Sequence, residues 1–439
     1  MNEMKEIQPA KRGLTGEIAI PGDKSISHRS VMFAGLGDAP VHITNFLHAQ
    51  DCLSTVACMR ALGADVEEIS DTELVVRGHG IHGLKEPQTI IDAGNSGTTL
   101  RLMLGILAAQ PFLTTFTGDA SLHKRPMARV IRPLVSMGAG IVGRDHNRLL
   151  PITIVPSQDK LKGIAYEMPM ASAQVKSAIL LAGMYAEGDT TVTEPYTSRD
   201  HTERMLEAFG VQVEKKGTSI TMHPVQEFSA PKEIEVPGDI SSAAYWLVAA
   251  SLIPGSDVLL KNVGVNPTRT GILDVLQAMG ADISLQNERV SGGEEAADIR
   301  VRFAKLKGTS FGADIMPRLI DEIPVIAVAA LLAEGDTVIT GAGELRVKET
   351  DRLQAITDQF SKLAPGAVEG REDGLVIHGG TRLQKAECFS YEDHRIAMSL
   401  AIAGAAAQGV CIEHANCVNI SYPSFYDTLE MLTNEEEKG

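Results

Sequence analysis

Cations and small polar residues stand together in residues 23–29, DKSISHR. The preceding Pro21-Gly22 pair is typical of a turn, and the apolar run that follows has helical spacing. We therefore expect a helix to begin near Ser25, with free N–H groups and a positive dipole end that favour phosphate or carboxylate. Lys24 and Arg29 add positive charge, and Ser25 and Arg29 share a helix face. An ordinary N-cap beside a solvated cation is the alternative.

Comparable helix starts recur every 69–81 residues along the chain. Polar residues precede an Ala/Leu-rich helical pattern near Ser25, Ser96, Ser172, Ser241, Glu322 and His394. Capping accounts for Ser, Asn and Asp at such places, but not for the cations Lys24, Arg29 and Arg395 beside them. We expect the six N-termini to converge on one strongly anionic ligand.

Repeats predict how the elements are arranged. EIAIPGD at 17–23 returns as EIEVPGD at 233–239, which indicates two similar halves. Within each half, helices that end in an apolar residue followed by Gly precede alternating strands, as at 61–68, 136–143, 208–215 and 278–285. Each repeat then has the order strand, helix, strand, helix, hairpin. We predict an α/β protein with one domain formed by residues 1–20 and 238–439 and another by residues 21–237, joined by a two-stranded hinge.

Further cations and carboxylates lie in three other segments. Residues 123–126 (HKRP) form a cationic loop, residues 199–201 (RDH) open a helix, and residues 346–352 (RVKETDR) alternate in sign. If residues 346–352 are helical, Lys348 and Arg352 share a face, with Glu349 beside them. Arg binds carboxylate or phosphate through two parallel hydrogen bonds. Asp321 and Glu349 are candidates for proton transfer, and a salt-bridged surface is the alternative for each segment.

Composition excludes several classes of function. The 439 residues contain 40 Lys and Arg against 56 Asp and Glu, a net charge of −16, and only 4% are aromatic. Binding to nucleic acid or to an anionic membrane is therefore not expected. Five cysteines without zinc-type spacing indicate a reducing compartment and no metal. Because the N-terminus lacks an apolar core, we predict a soluble, cytoplasmic protein.

Eight motifs in order resemble the 5-enolpyruvylshikimate-3-phosphate synthase family over about residues 21–423. They are PGDKSISHR, GNSGTTLR, KRPM, SAQVKSAILLAG, RDHTERM, IDEIP, LRVKETDRL and DHRIAMS. The resemblance implies two domains, each of three βαβαββ units in an inside-out α/β barrel. It also implies transfer of the enolpyruvyl group of phosphoenolpyruvate to the 5-hydroxyl of shikimate 3-phosphate, in aromatic amino-acid synthesis. No metal or organic cofactor is implied, and the herbicide glyphosate is an expected inhibitor.

The same resemblance assigns roles to individual residues. It places shikimate 3-phosphate against Lys24, Ser25, Arg29, Ser172, Gln174, Arg199, Asp321 and Lys348. It places phosphoenolpyruvate against Lys24, Gly97, Arg125, Gln174, Arg352 and Arg395. Proton transfer falls to Asp321, Glu349 and Lys24, with Asp321 as our choice for the hydroxyl base. Some members carry a lysine near the C-terminus, where residues 419–423 (NISYP) offer none.

Two other functions remain open from the sequence. A related family transfers enolpyruvyl to a UDP-sugar and relies on a loop cysteine in its first half, whereas residues 123–127 contain none. A non-catalytic protein that binds anionic metabolites would explain the cations but not Asp321 and Glu349. We expect a monomer that acts on small anionic substrates.

Overall fold

The computed structural model describes residues 4–157 and 159–433. Its contacts divide the chain into two compact units. Unit 1 contains the chain up to Pro21, Gly238–Arg289 and the residues from Glu295 onwards, and unit 2 contains Gly22–Pro237 and Val290–Glu294. The chain opens with two strands of unit 1, β1 (Met4–Ile7) and β2 (Thr15–Ala19).

Unit 2 is built from three similar modules. The first contains α1 (Lys24–Ala34), β3 (Val41–Thr44), α2 (Gln50–Ala61), β4 (Asp65–Ser70) and β5 (Glu73–Arg77). The second contains β6 (Ile91–Asp92), α3 (Gly97–Leu107), β7 (Thr114–Thr117), a 3-10 turn (Leu122–Lys124), α4 (Ala128–Ser136), β8 (Gly140–Gly143), the short turn α5 (Arg144–Asn147) and β9 (Leu149–Val155). The third contains β10 (Ala165–Glu167), α6 (Ala173–Gly183), β11 (Thr190–Thr193), α7 (His201–Ala208), β12 (Val213–Lys216) and β13 (Ser219–Met222), and β14 (Glu233–Glu235) follows.

Unit 1 repeats the same plan. Its first module contains α8 (Ile240–Leu252), β15 (Asp257–Gly264), α9 (Gly271–Ala278), β16 (Asp282–Ser291) and β17 (Glu294–Arg302). The next contains β18 (Ser310–Phe311), 3-10 turns (Met316–Arg318, Ile320–Glu322), α10 (Ile323–Leu332), β19 (Asp336–Ile339), a 3-10 turn (Gly343–Val347), α11 (Arg352–Leu363), β20 (Val368–Gly370) and β21 (Leu375–His378). The last contains β22 (Glu387–Phe389), α12 (His394–Ala406), β23 (Val410–Glu413), a 3-10 turn (Ala415–Ile420) and α13 (Phe425–Thr433).

The first strands of the two halves are exchanged. β2 runs parallel to β15 in unit 1, and β14 runs parallel to β3 in unit 2. The repeated Pro-Gly turns follow these strands, and the Asp23 amide donates to the Pro237 carbonyl while the Asp239 amide donates to the Pro21 carbonyl. The last module is completed by β1, which pairs antiparallel with β23. The repeated sequences EIAIPGD and EIEVPGD therefore mark two of the places where the chain passes between units, and the other two flank the short segment Val290–Glu294.

In each unit the first helix of every module is buried and the sheets lie outside. α1, α3 and α6 form the centre of unit 2, and α8, α10 and α12 form the centre of unit 1. Most residues of these helices are buried, and all of the helices except α1 are mainly apolar, which suits a helix without a solvent face. The outer sheets each expose one face, and none of the sheets formed by the described residues closes into a barrel. The predicted fold class, two similar halves of three βαβαββ modules with helices inside, is confirmed.

Local predictions are mostly confirmed, with one correction. The glycine that follows each of the four helices with the repeated ending has a φ between 77 and 103°, the left-handed region that stops a helix. Residues 346–352, however, do not form one helix. A 3-10 turn ends at Val347, and α11 begins only at Arg352 because Asp351 caps it by accepting from the Gln354 amide. Lys348 and Arg352 therefore do not share a helix face.

Two partly exposed histidines occupy equivalent places at the ends of outer sheets. Each imidazole lies between two carboxylates, at 2.7 and 3.1 Å for His223 and at 3.0 and 3.1 Å for His378. These hydrogen bonds raise the pKa of both rings above the ordinary value of 6.5. The partners are Asp189 and Glu214 for His223, and Glu369 and Asp336 for His378.

None of the helices within residues 4–157 and 159–433 has the length and apolarity needed to cross a bilayer.

Candidate active site

The N-terminus of α1 carries an ion pair between Lys24 and Asp51. The Lys24 Nζ lies 3.2 Å from the Asp51 Oδ2, and their side chains are 23% and 12% exposed. Asp51 lies at the start of α2. The sequence analysis did not assign this helix to the site. Burial opposes ionisation of Asp51, but the charge and hydrogen bond of Lys24, together with the nearby His28 and Arg125, outweigh burial and hold the pKa of the carboxyl below its ordinary value. The contact with Asp51 therefore holds the Lys24 side chain beside the N-terminus of α1.

Arg29 lies one turn further along α1 and is almost fully buried. Its Nε donates to the Thr202 Oγ1 at 2.8 Å, its Nη2 to the Ser177 Oγ at 3.1 Å, and its Nη1 to the Ser25 carbonyl at 2.9 Å. Burial lowers the pKa of Arg29 to about 10, so the guanidinium stays charged at neutral pH. Since a guanidinium has five N–H donors, the bonds seen within the described residues leave two for an anion.

The N-termini of α3 and α6 are joined through one amide side chain. The Gln174 Oε1 accepts from the Arg101 Nη1 at 2.6 Å, and the Gln174 Nε2 donates to the Thr98 Oγ1 at 3.1 Å. Ser172 is the N-cap residue of α6, and its side chain makes no capping hydrogen bond in the described structure. The Ser172 hydroxyl and the first amides of α6 therefore remain available to a ligand.

Gly97 is the first residue of α3 and lies against two cations. A Cβ added there would lie 3.1 Å from the Arg101 Nη1 and 3.5 Å from the Arg125 Nη1. The half-buried Arg125 is itself oriented by Asn95, whose Oδ1 accepts from the Arg125 Nη2 at 2.7 Å. Backbone N–H groups, a missing side chain and two guanidinium groups together make a close-fitting site for a small anion.

Arg199 lies at the entrance to α7, just before the N-cap residue Asp200. It is half-buried, and its charge is close enough to lower the pKa of Arg29, after the larger contribution of burial. The site residues of unit 2 thus bring four arginines and a lysine to the ends of three buried helices: Lys24, Arg29, Arg101, Arg125 and Arg199.

In unit 1 a single buried arginine organises the candidate proton-transfer residues. The Arg352 Nε donates to the Asp393 Oδ2 at 2.8 Å, its Nη1 to the Asp321 Oδ1 at 3.3 Å, and its Nη2 to the Glu349 Oε2 at 2.7 Å. The Arg352 side chain is 1% exposed and that of Asp393 is fully buried. Burial opposes the charge of Arg352, but the carboxylates outweigh it and raise its pKa, Asp393 most strongly.

Arg395 and Lys348 have different surroundings. The Arg395 Nη2 lies 3.9 Å from the Asp321 Oδ2. Burial opposes the charge of Arg395, but Asp321 and the neighbouring acidic groups together outweigh burial and raise its pKa. Arg395 therefore belongs to the same cluster as Arg352, Asp321 and Glu349. Lys348 instead donates to the Glu344 Oε1 at 3.0 Å, and its side chain is 23% exposed.

The helix ends of the two units differ in chemistry. In unit 2, five cations lie beside the N-terminal amides of buried helices, which suits phosphate and carboxylate groups despite the acidic total charge. At the corresponding ends in unit 1, Asp321, Glu349 and Asp393 share arginines, which suits proton transfer beside a bound anion.

The sequence analysis did not identify three features of these clusters: Asp51, Arg101, and the pairing of Asp393 with an arginine. A usable signal existed for Arg101, because a lone charge inside the apolar run of α3 must find a partner when buried. No comparable pattern points to Asp51. Within the described residues, no group of three or more His, Cys, Asp or Glu side chains is arranged to hold a metal ion.

Comparison with known proteins now defines the class of protein. The family model for EPSP synthase (3-phosphoshikimate 1-carboxyvinyltransferase) matches residues 8–429. The chain therefore belongs to the EPSP synthase family, as its motifs predicted.

Individual relatives share nearly the whole length of the chain. A 3-phosphoshikimate 1-carboxyvinyltransferase from Desulforudis audaxviator is 54% identical over 431 residues, covering 98% of this chain and 99% of the relative. One of the same name from Desulforamulus reducens is 52% identical over 425 residues, covering 97% and 98%. A solved EPSP synthase from Acinetobacter baumannii superposes with a TM-score of 0.91 at 43% identity, covering 99% of this chain and 98% of that one.

Proposed function

We propose that the protein transfers the enolpyruvyl group of phosphoenolpyruvate to the 5-hydroxyl of shikimate 3-phosphate and releases phosphate, in aromatic amino-acid synthesis. The observation that carries the proposal is the cluster of Arg352 with Asp321 and Glu349, in which two partly accessible carboxylates share one buried arginine. A protein that only binds anions has no need of carboxylates at that place, because they repel the ligand.

The residue roles follow from charge and position. In unit 2, Ser25, Arg29, Ser172 and Arg199 would bind the phosphate of shikimate 3-phosphate, with Gln174 and Lys24 reaching both substrates. Gly97 and Arg125 would hold phosphoenolpyruvate, since they form the tight cationic site at the start of α3. In unit 1, Arg352 and Arg395 would bind phosphoenolpyruvate, and Asp321 and Lys348 would meet the shikimate hydroxyls. Proton transfer is assigned to Asp321, Glu349 and Lys24.

The reaction is an addition followed by an elimination, and each of these steps includes a proton transfer at the methylene carbon of phosphoenolpyruvate. Asp321 removes the proton of the 5-hydroxyl, whose oxygen attacks C2 of phosphoenolpyruvate while an acid, Glu349 or Lys24, protonates the methylene carbon. The conjugate base of that acid then takes a proton from the new methyl group of the tetrahedral intermediate, which expels phosphate and restores the carbon–carbon double bond. Arginine and lysine stabilise the charge on two phosphates and two carboxylates throughout. We further propose that the protein works as a cytoplasmic monomer.

Phosphate release tests the proposal directly. We expect turnover when shikimate 3-phosphate and phosphoenolpyruvate are supplied together, and none when a UDP-sugar replaces shikimate 3-phosphate. Release with the UDP-sugar would favour the related transferase activity. Binding of both anions without any phosphate release would favour a non-catalytic protein.

A further inference from the structure

A lysine is buried in α6 one residue before Ser177, the residue that accepts from Arg29. The Lys176 side chain is only 1% exposed and stands in an otherwise apolar run. A buried ammonium group is strongly unfavourable unless carboxylates face it. Its partners therefore indicate why a lysine is present there.

Two buried glutamates share Lys176. The Lys176 Nζ lies 2.9 Å from the Glu194 Oε2 and 2.8 Å from the Glu203 Oε1, and both glutamate side chains are at most 1% exposed. One positive charge thus serves two carboxylates, and no described residue donates to the Glu203 Oε2. The two glutamates outweigh burial and raise the pKa of Lys176, so the lysine stays charged.

The two glutamates are the ends of the segment that carries Arg199. Glu194 follows β11 and accepts from both the hydroxyl and the amide of Ser198, the amide at 3.3 Å. Glu203 lies in the first turn of α7, directly after Thr202, which accepts from Arg29. Lys176 therefore holds both ends of residues 194–203, and Thr202, beside one of these ends, is bound by Arg29.

Charge makes the position of Lys176 important for substrate. Glu203 is the carboxylate that most strongly opposes the effect of burial on Arg29, so it already competes for that guanidinium. Without Lys176, both buried carboxylates would lose their cation, and the charge of Glu203 is already felt by Arg29. A hydrogen bond from Arg29 to Glu203 would remove one donor from a bound phosphate.

We propose that Lys176 is a positioning residue for the phosphate of shikimate 3-phosphate. Its charge offsets one of the two negative charges of Glu194 and Glu203 and so keeps these carboxylates from competing with the substrate for the Arg29 guanidinium. This inference rests on the function proposed above. It predicts an effect on the binding of one substrate rather than on the chemical step.

The test is steady-state kinetics of phosphate release for Lys176→Met, with each substrate varied in turn. We expect the KM for shikimate 3-phosphate to rise by about 10- to 100-fold, with the KM for phosphoenolpyruvate and kcat changed by less than about threefold. Lys215→Met is the matched control, because Lys215 makes a partly exposed ion pair with Glu207 in the same unit. It should leave all three constants unchanged.

A second variant separates charge from folding. In the wild type, Lys176, Glu194 and Glu203 together carry a net charge of −1. The double variant Lys176→Met/Glu203→Gln keeps this net charge of −1, so it should restore the KM for shikimate 3-phosphate to within about threefold of wild type. A KM that stays at least tenfold raised in this folded double variant overturns the inference. So does an equal rise in the KM of both substrates for Lys176→Met. If the wild-type protein itself releases no phosphate, the proposed function fails instead.

Discussion

Replacing Gly97 by alanine tests the proposed phosphoenolpyruvate site at its tightest point. The new methyl carbon would lie 3.1 Å from the Arg101 Nη1 and 3.5 Å from its Cζ, so the guanidinium must move by a few tenths of an ångström. Arg101 is not free to move without loss, because it donates to the Gln174 Oε1 at 2.6 Å. The substitution therefore both occupies space and disturbs Gln174.

Folding and binding should respond in opposite directions. Gly97 begins α3 without a positive φ, so alanine adds no backbone strain and should stabilise the fold by up to about 1 kcal/mol. An extra methyl group in a close-packed site costs about 1–3 kcal/mol, or about 5- to 150-fold in affinity. The resemblance to the family places glyphosate, the longer molecule, in the same space as phosphoenolpyruvate. We expect a loss near fivefold for phosphoenolpyruvate and near 100-fold for glyphosate.

The assay is inhibition of phosphate release by glyphosate at matched phosphoenolpyruvate saturation, together with urea unfolding. Gly343→Ala is the control, because a Cβ there would lie 3.8 Å from the Asp373 Cβ, an ordinary contact. Equal inhibition constants for wild type and Gly97→Ala would show that Gly97 does not line the inhibitor site. An equal loss of affinity for both ligands would refute the argument from molecular length.

Three other outcomes follow from the same structure. Arg125→Ala should fold normally yet lose at least 30-fold in kcat/KM, since removing one partner of a charge-assisted contact costs about 2–5 kcal/mol. Wild-type turnover would exclude Arg125 from the site. Arg352→Met should lower the free energy of unfolding by about 3–5 kcal/mol in urea titrations, because it leaves buried carboxylates uncompensated. The partly exposed Arg302→Met should cost less than about 1 kcal/mol, and equal losses would contradict this reasoning. His223 and His378 have raised pKa values, so their contribution to stability is complete below pH 6.5 and is lost as pH rises through the folded values. The wild type should therefore melt above His223→Gln/His378→Gln at pH 6 and together with it at pH 9, whereas a constant difference would contradict the assignment.

Much of the secondary structure and domain organisation of this protein could be predicted from local sequence patterns. Helix starts near Ser25, Ser96 and His394 depend on capping and on the periodicity of the next few residues, and these are local properties. The left-handed glycines after four helices are local as well. The repeat of EIAIPGD as EIEVPGD and the ordered motifs were sufficient to predict the two halves, the modules and the family.

Only the tertiary structure shows which charged and polar side chains contact each other. Lys24 and Asp51 are 27 residues apart, Arg352 and Asp393 are 41, and Arg101 and Gln174 are 73. No local pattern joins such pairs, because each depends on how buried helices pack side by side. Residues 346–352 also could not be predicted from charge spacing. Their spacing suited a helix, but Asp351 caps α11, so that helix begins only at Arg352. Burial then determines the properties of these groups, because a charged side chain removed from water must be paired with an oppositely charged or polar group nearby in the fold.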